Sequence, residues 1–186
     1  LIAQAFLAIQ SQKPSTIVLL SPNHFGRGGS RIITSKYDWQ TPYGILPADN
    51  KTIDKLLERG ALTVEENPFE KEHGVFNITA FIKKVFPDSK IIPIIIKNDL
   101  KTTGMSALAE DLKEVLPKNS LIILSADFTH ETTSKIADQN DQKSLSVIEK
   151  LDFDKLNEIT IDSRPAIGVL LKLMEKEFLF FQNRIL

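Results

Sequence analysis

The chain contains three histidines, and each stands in a segment whose neighbours could do chemistry with it: Ser21-Pro22-Asn23-His24, Glu72-His73-Gly74, and Ser125-Ala126-Asp127-Phe128-Thr129-His130. A neutral imidazole nitrogen binds transition metals, and the ring exchanges protons near neutral pH, so few histidines placed beside acids and strand ends invite a site reading. For His24 that reading is metal ligation, with the second ring nitrogen held by a carbonyl or an acid. The alternative is a turn, because Ser-Pro-Asn is turn chemistry and the histidine after it can be merely solvated. Asp127 precedes His130 by three residues and could orient the imidazole as a general acid or base requires. The alternative is an N-cap, with Asp127 or Thr129 opening a helix near Glu131. Glu72-His73 closes an acidic stretch holding Glu65, Glu66 and Glu70, and acids before a helix are favoured by its dipole without any function.

The elements that position these residues alternate in type. Ile2, Ala5, Phe6 and Ile9 recur at helical spacing, and Thr16 to Leu20 is a short β-branched apolar run expected of a strand covered on both faces. Arg31 to Ser35 reads as a strand, Lys51 to Arg59 as a helix closed by Gly60, and Ile78 to Val85 as a helix stopped at Pro87. Ile91 to Ile96 reads as a buried strand in which Pro93 signals an irregularity or an edge. A helix from about Thr103 to Val115, a buried strand over Leu121 to Leu124, a helix over Ala166 to Met174 with Pro165 in its first turn, and a strand over Phe178 to Phe181 complete the pattern. Strands alternating with helices predict a three-layer α/β fold with a mixed, mostly parallel sheet flanked by helices. His24 and His130 each follow a serine, apolar run, serine segment, so each leaves the carboxyl end of a strand, where ligand crevices of open α/β sheets lie.

Composition narrows the function classes. With 186 residues, 42% hydrophobic and 25% charged, the chain is expected to form one domain over 1–186. A net charge of -1 with dispersed lysines gives no footprint for nucleic acid or an anionic membrane. The absence of cysteine excludes disulfides, thiolate ligands and cysteine nucleophiles from these residues, and fits a cytoplasmic protein. The opening lacks methionine and already lies in an apolar helical pattern, as expected of a fragment whose upstream part is missing. Gly26-Arg27-Gly28-Gly29 is not followed by Gly-Lys-Ser/Thr, so it is read as a flexible wall near His24, with Arg27 available to an anionic group, rather than as a phosphate loop. Asn77-Ile78-Thr79 matches the glycosylation pattern but falls within a predicted helix.

Taken together and in order, Ser21-Pro22-Asn23-His24-Phe25-Gly26, Asp38-Trp39-Gln40-Thr41-Pro42-Tyr43-Gly44, Glu72-His73, Phe86-Pro87 with Lys90-Ile91-Ile92-Pro93-Ile94, and Ser125-Ala126-Asp127-Phe128-Thr129-His130 resemble the Memo-like family. That family is also called AmmeMemoRadiSam system protein B. The resemblance runs from near Ile17 to about Leu171. It implies the fold of class III extradiol ring-cleaving dioxygenases and a non-haem iron or copper site, with His24 as a metal ligand. It further implies His130, steadied by Asp127, as the acid/base histidine, and His73 as a pocket residue beside the metal. The family's Pro-His-Ala-Gly histidine lies upstream of the first matched motif and has no counterpart here. Where the family often has a ligand cysteine this chain has Asp162, before Ser163-Arg164-Pro165-Ala166-Ile167. A carboxylate there could ligate iron as in two-histidine-one-carboxylate oxygenases, or Asp162 or Ser163 could simply cap the following helix. Phe76 occupies the position of the second glutamate in the family's Glu-His-Ser-Ile-Glu, which implies a less polar pocket. Three functions follow: a dioxygenase-like enzyme acting on an unknown small oxygen-chelating substrate, a metal-dependent hydrolase, or a binding module that recruits a radical-SAM enzyme or a peptide.

Overall fold

The computed structural model describes residues 2–182, with side chains described to residue 175. The elements in order are α1 (Ile2–Ile9), β1 (Thr16–Pro22), β2 (Ile32–Thr34), β3 (Trp39–Thr41), β4 (Gly44–Leu46), α2 (Asn50–Arg59), β5 (Thr63–Val64), α3 (His73–Val85), β6 (Lys90–Ile96), α4 (Thr102–Val115), β7 (Ser120–Leu124), α5 (Ser134–Glu149) and α6 (Arg164–Gln182). Five strands form one sheet in the order β5-β2-β6-β1-β7, and β3 and β4 form a separate antiparallel hairpin. β1 runs parallel to β6 and β7, β2 parallel to β5, and only the β2–β6 pair is antiparallel. The sheet is therefore mixed and mostly parallel, as the alternation of elements predicts.

The two-residue period of β1 sorts its side chains onto two cores. Val18 and Leu20 join Ile92, Ile94 and Ile96 under Ile53 and Leu56 of α2, Leu108 and Leu112 of α4, and Ile167 and Leu171 of α6. Ile17 and Leu19 join Ile91 and Ile95 beneath Phe6 of α1 and Val75, Ile78 and Ile82 of α3. Every residue of β1 is buried, because helices cover both faces and strands flank both edges. Removing a side chain such as Leu20 would cost about 2–5 kcal/mol.

Pro93 marks a seam rather than a sheet edge. Ile91 exchanges backbone hydrogen bonds with Pro47 and Asp49, whereas β2 pairs with β6 only from Ile94 to Ile96. The proline stands where one neighbour hands over to the other, so its missing N–H breaks no ladder, and its carbonyl accepts from Thr34 Oγ1 at 2.7 Å. β7 is an edge strand and only half-buried, not covered like β1. Phe178 to Phe181 continues α6 instead of forming a strand. An apolar run carries no readable period of its own, and here the helix begun at Arg164 extends through it. No described helix is long and apolar enough to cross a membrane.

Candidate functional site

Because β6, β1 and β7 are adjacent and parallel, their carboxyl ends share one rim. Asn98 follows β6, His24 follows β1, and Asp127 and His130 follow β7. The rim is continuous at backbone level: Asn23 N–H donates to Ile96 and Ser125 N–H donates to Leu20. The N-terminal ends of α3 and α6 bring His73 and Asp162 to the same place.

His24 is held at three points. Its backbone N–H donates to Glu72 Oε2 at 2.9 Å, and its ring Nδ1 lies 2.5 Å from Glu72 Oε1. Glu72 is completely buried and also caps α3, its carboxylate accepting from Gly74 N–H at 3.2 Å. Three N–H donors and the start of a helix thus converge on this one buried carboxylate. The acceptor at Nδ1 fixes the proton there, which turns Nε2 toward the cavity. Nε2 lies 3.0 Å from Asp162 Oδ2. Close packing enforces the arrangement: a Cβ on Gly74 would overlap Ser21 Oγ and come within 3.2 Å of His24 Cε1.

Asp162 is available because Ser163 does the capping. Ser163 Oγ accepts from Ala166 N–H at 3.4 Å, while Asp162 Oδ1 accepts from Asp127 N–H at 3.0 Å and Oδ2 faces His24. Burial raises the Asp162 carboxyl above the ordinary aspartate range, against the opposing pull of the Asp127 N–H and His24. His73 stacks near His24, with ring centroids 4.0 Å apart. Donor atoms of His24, Glu72 and His73 lie within 4.8 Å of one another. Distance alone would thus admit Glu72 as a ligand, but its oxygens are engaged by His24 and Gly74, and of these two carboxylates it is Asp162 that lines the cavity and faces Nε2.

A cavity of about 690 Å³ opens over this group, walled by Pro22 and Phe128 and reached by Asn98, Asp127 and His130. His130 makes no hydrogen bond among the described residues, and none joins it to the Asp127 carboxylate. The expected Asp127–His130 pair is therefore not formed in this structure. Asp127 is instead gripped through its backbone, accepting from Asp162 N–H at 3.1 Å and donating to its side chain, and the chain turns away at Glu131 with φ of 59°. Neither Asp127 nor Thr129 caps a helix, since α5 begins later, after Thr133. The glycine-rich loop is pinned rather than loose: Arg27 N–H donates to Asn23 Oδ1, and Gly29 and Ser30 donate to Glu65. Those two donors hold the Glu65 carboxyl below its ordinary value. Arg27 lies over the Phe25 ring and lines a separate cavity, and Phe76 is 47% exposed and not part of the wall beside His24. Sequence reasoning passed over Glu72 as the residue that orients His24. Its signal, an acid opening an apolar-periodic helix, is one that any N-cap gives, and its partner lies 48 residues away.

A family model described as Memo-like protein matches residues 1–180. A MEMO1 family protein of Pyrobaculum aerophilum is 33% identical over 153 residues, covering 80% of this chain and 54% of that protein. A MEMO1 family protein of Nitrosopumilus maritimus is 25% identical over 166 residues, covering 86% of this chain and 59% of that one. The chain thus spans little more than half the length of these relatives. The crystal structure of an uncharacterized protein from Escherichia coli K12 matches with a TM-score of 0.63 at 14% identity, covering 94% of this chain and 81% of that chain. At such identity the likeness concerns the fold alone.

Proposed function

The chain belongs to the Memo-like family, and from that premise we propose that it carries a non-haem metal site and a dioxygenase-like or related redox activity on a small oxygen-chelating substrate. The observation that carries this reading is His24, whose Nδ1 is engaged by buried Glu72 while Nε2 faces Asp162 beside His73. With the proton on Nδ1, the Nε2 lone pair would confront a carboxylate oxygen at 3.0 Å. That contact is repulsive unless a proton or a cation lies between the two atoms.

The donors fit a metal. His24 Nε2 and Asp162 Oδ2, 3.0 Å apart, are a nitrogen and an oxygen donor close enough to share one ion. His24 and Asp162 would hold iron or copper through a ring nitrogen and a carboxylate oxygen, and His73, whose ring centroid lies 4.0 Å from that of His24, lines the same cavity. Such an ion would supply Lewis acidity and redox capacity. The protein's own contributions are separable from it. Glu72 fixes the His24 tautomer, and Pro22 and Phe128 give the cavity apolar walls. His130, on the same cavity and without a hydrogen-bond partner among the described residues, would take a proton from a substrate hydroxyl or return it.

Metal content by elemental analysis of anaerobically purified protein, with His24→Ala and Asp162→Ala alongside, tests the site. Oxygen uptake with a catechol panel then tests the reaction. Near-stoichiometric iron or copper that drops in both variants is expected. Metal-free wild type that neither reconstitutes nor takes up oxygen would overturn the reading and favour a binding module for a radical-SAM enzyme or a peptide.

A further inference from the structure

A second cavity, of about 650 Å³, adjoins the first and shares Asn98 and Asp162 with it. Its lining includes Lys101 and Arg164, and among the described residues neither forms an ion pair. The acids beside it are already engaged. Asp99 pairs with Arg31 at 3.0 Å, and Asp162 is turned toward His24 and the Asp127 N–H. The free charge facing this cavity is therefore positive, in a chain whose net charge is -1. Asn157 stands beside Arg164, its carbonyl accepting from the guanidinium at 3.4 Å, and Leu156 and Met105 give the cavity an apolar floor. Lys101 has no side-chain capping bond at the start of α4, so that helix end adds to the same field.

We propose that this second cavity, through Lys101 and Arg164, binds an oxyanionic tail, a carboxylate or phosphate, of the substrate whose chelating head sits over His24 and Asp162. The inference rests on the metal-site reading for the head and on the cationic cavity for the tail. A planar guanidinium suits a two-oxygen acceptor, and an ammonium beside it adds a point charge without demanding a geometry. Asp162 is the common wall, so head and tail occupy neighbouring compartments of one groove.

The test begins without metal. Benzoate and inorganic phosphate are titrated separately into metal-free protein at low ionic strength, followed by the amide resonances of Asn98, Asn157 and Thr102, with chloride as control. Saturable shifts with at least one of the two probes are expected, weakened about tenfold or more in Lys101→Met/Arg164→Met. Both side chains are exposed, so the variant is expected to keep the wild-type thermal midpoint. The carboxylate and phosphate arms identify which oxyanion is preferred. Shifts no greater than with chloride, or undiminished in the double variant, overturn the subsite. Catechol and 3,4-dihydroxybenzoate are then compared on metal-loaded protein, and the carboxylate is expected to add about tenfold in affinity to wild type and nothing to the double variant. Catechol binding to which the carboxylate adds nothing refutes the tail site and spares the metal reading. Benzoate binding that needs Lys101 and Arg164, with no catechol binding at the metal, does the reverse.

Discussion

Glu72→Gln separates orientation of His24 from ligation. The carboxylate accepts three N–H groups in a fully buried position: the backbone and ring of His24 and the backbone of Gly74. An amide of the same shape keeps one acceptor oxygen. If that oxygen stays on Nδ1 and Gly74, the new NH2 points at the His24 backbone N–H and donor meets donor. Losing one bond to a charged acceptor and burying the mismatch costs about 2–3 kcal/mol. The ring then keeps its place but loses the carboxylate that orients it through Nδ1, so metal affinity falls about 10–100-fold. Urea denaturation of metal-free protein reads the first number, and Co²⁺ titration followed by its visible absorption reads the second. Glu72→Gln that loses stability yet binds Co²⁺ within about twofold of wild type would show Glu72 to be only the cap of α3, and the reasoning fails. A loss as complete as in His24→Ala would refute it the other way, by making Glu72 a ligand.

Gly74→Ala should destabilise by about 1–3 kcal/mol, because its Cβ overlaps Ser21 Oγ and presses on the His24 ring, and Ser21→Ala in the same chain should recover part of the loss in a denaturation series. His130→Ala should leave metal content unchanged while lowering any turnover about 10²-fold or more, checked by pairing elemental analysis with oxygen uptake. Glu65 has a folded-state pKa below its ordinary value, so its contribution to stability is present above the unfolded pKa and disappears as pH falls through the folded one. Glu65→Gln should therefore lower the denaturation midpoint at neutral pH and match wild type in acid well below the ordinary glutamate pKa of about 4.3. Equal loss at both pH values would mean that the Gly29 and Ser30 donors do not depend on the charge.

The buried strands were legible because β1 and β6 are short, Ile- and Val-bearing apolar runs, the pattern expected of a strand covered on both faces. Edge status was not, since Leu121 to Leu124 reads like Ile17 to Leu20 and only pairing distinguishes them. His24 and Asp162 emerged as candidates from local context and family resemblance, yet what joins them spans 138 residues of sequence. The expected Asp127–His130 pair shows how a short spacing misleads: three residues apart in a turn need not face one another, and the chain used Asp127 backbone atoms instead of its carboxylate. Capping by Asp162 and by Ser163 was equally readable in sequence. Only the geometry of the Ala166 N–H gives it to Ser163 and frees the aspartate.

The two-way link between Asp127 and Asp162 also has a dynamic consequence. Residue 162 holds the backbone of residue 127 with its own N–H and with its carboxylate, so the loop after β7 cannot swing outward without that carboxylate letting go. Local opening of this loop and release of Asp162 are then one event with one free energy. Anything that anchors the carboxylate on its other side suppresses both. Solvent exchange of the Asp127 and Asp162 amide hydrogens should slow together when the cavity fills, which makes these two amides natural reporters of occupancy although neither touches what binds.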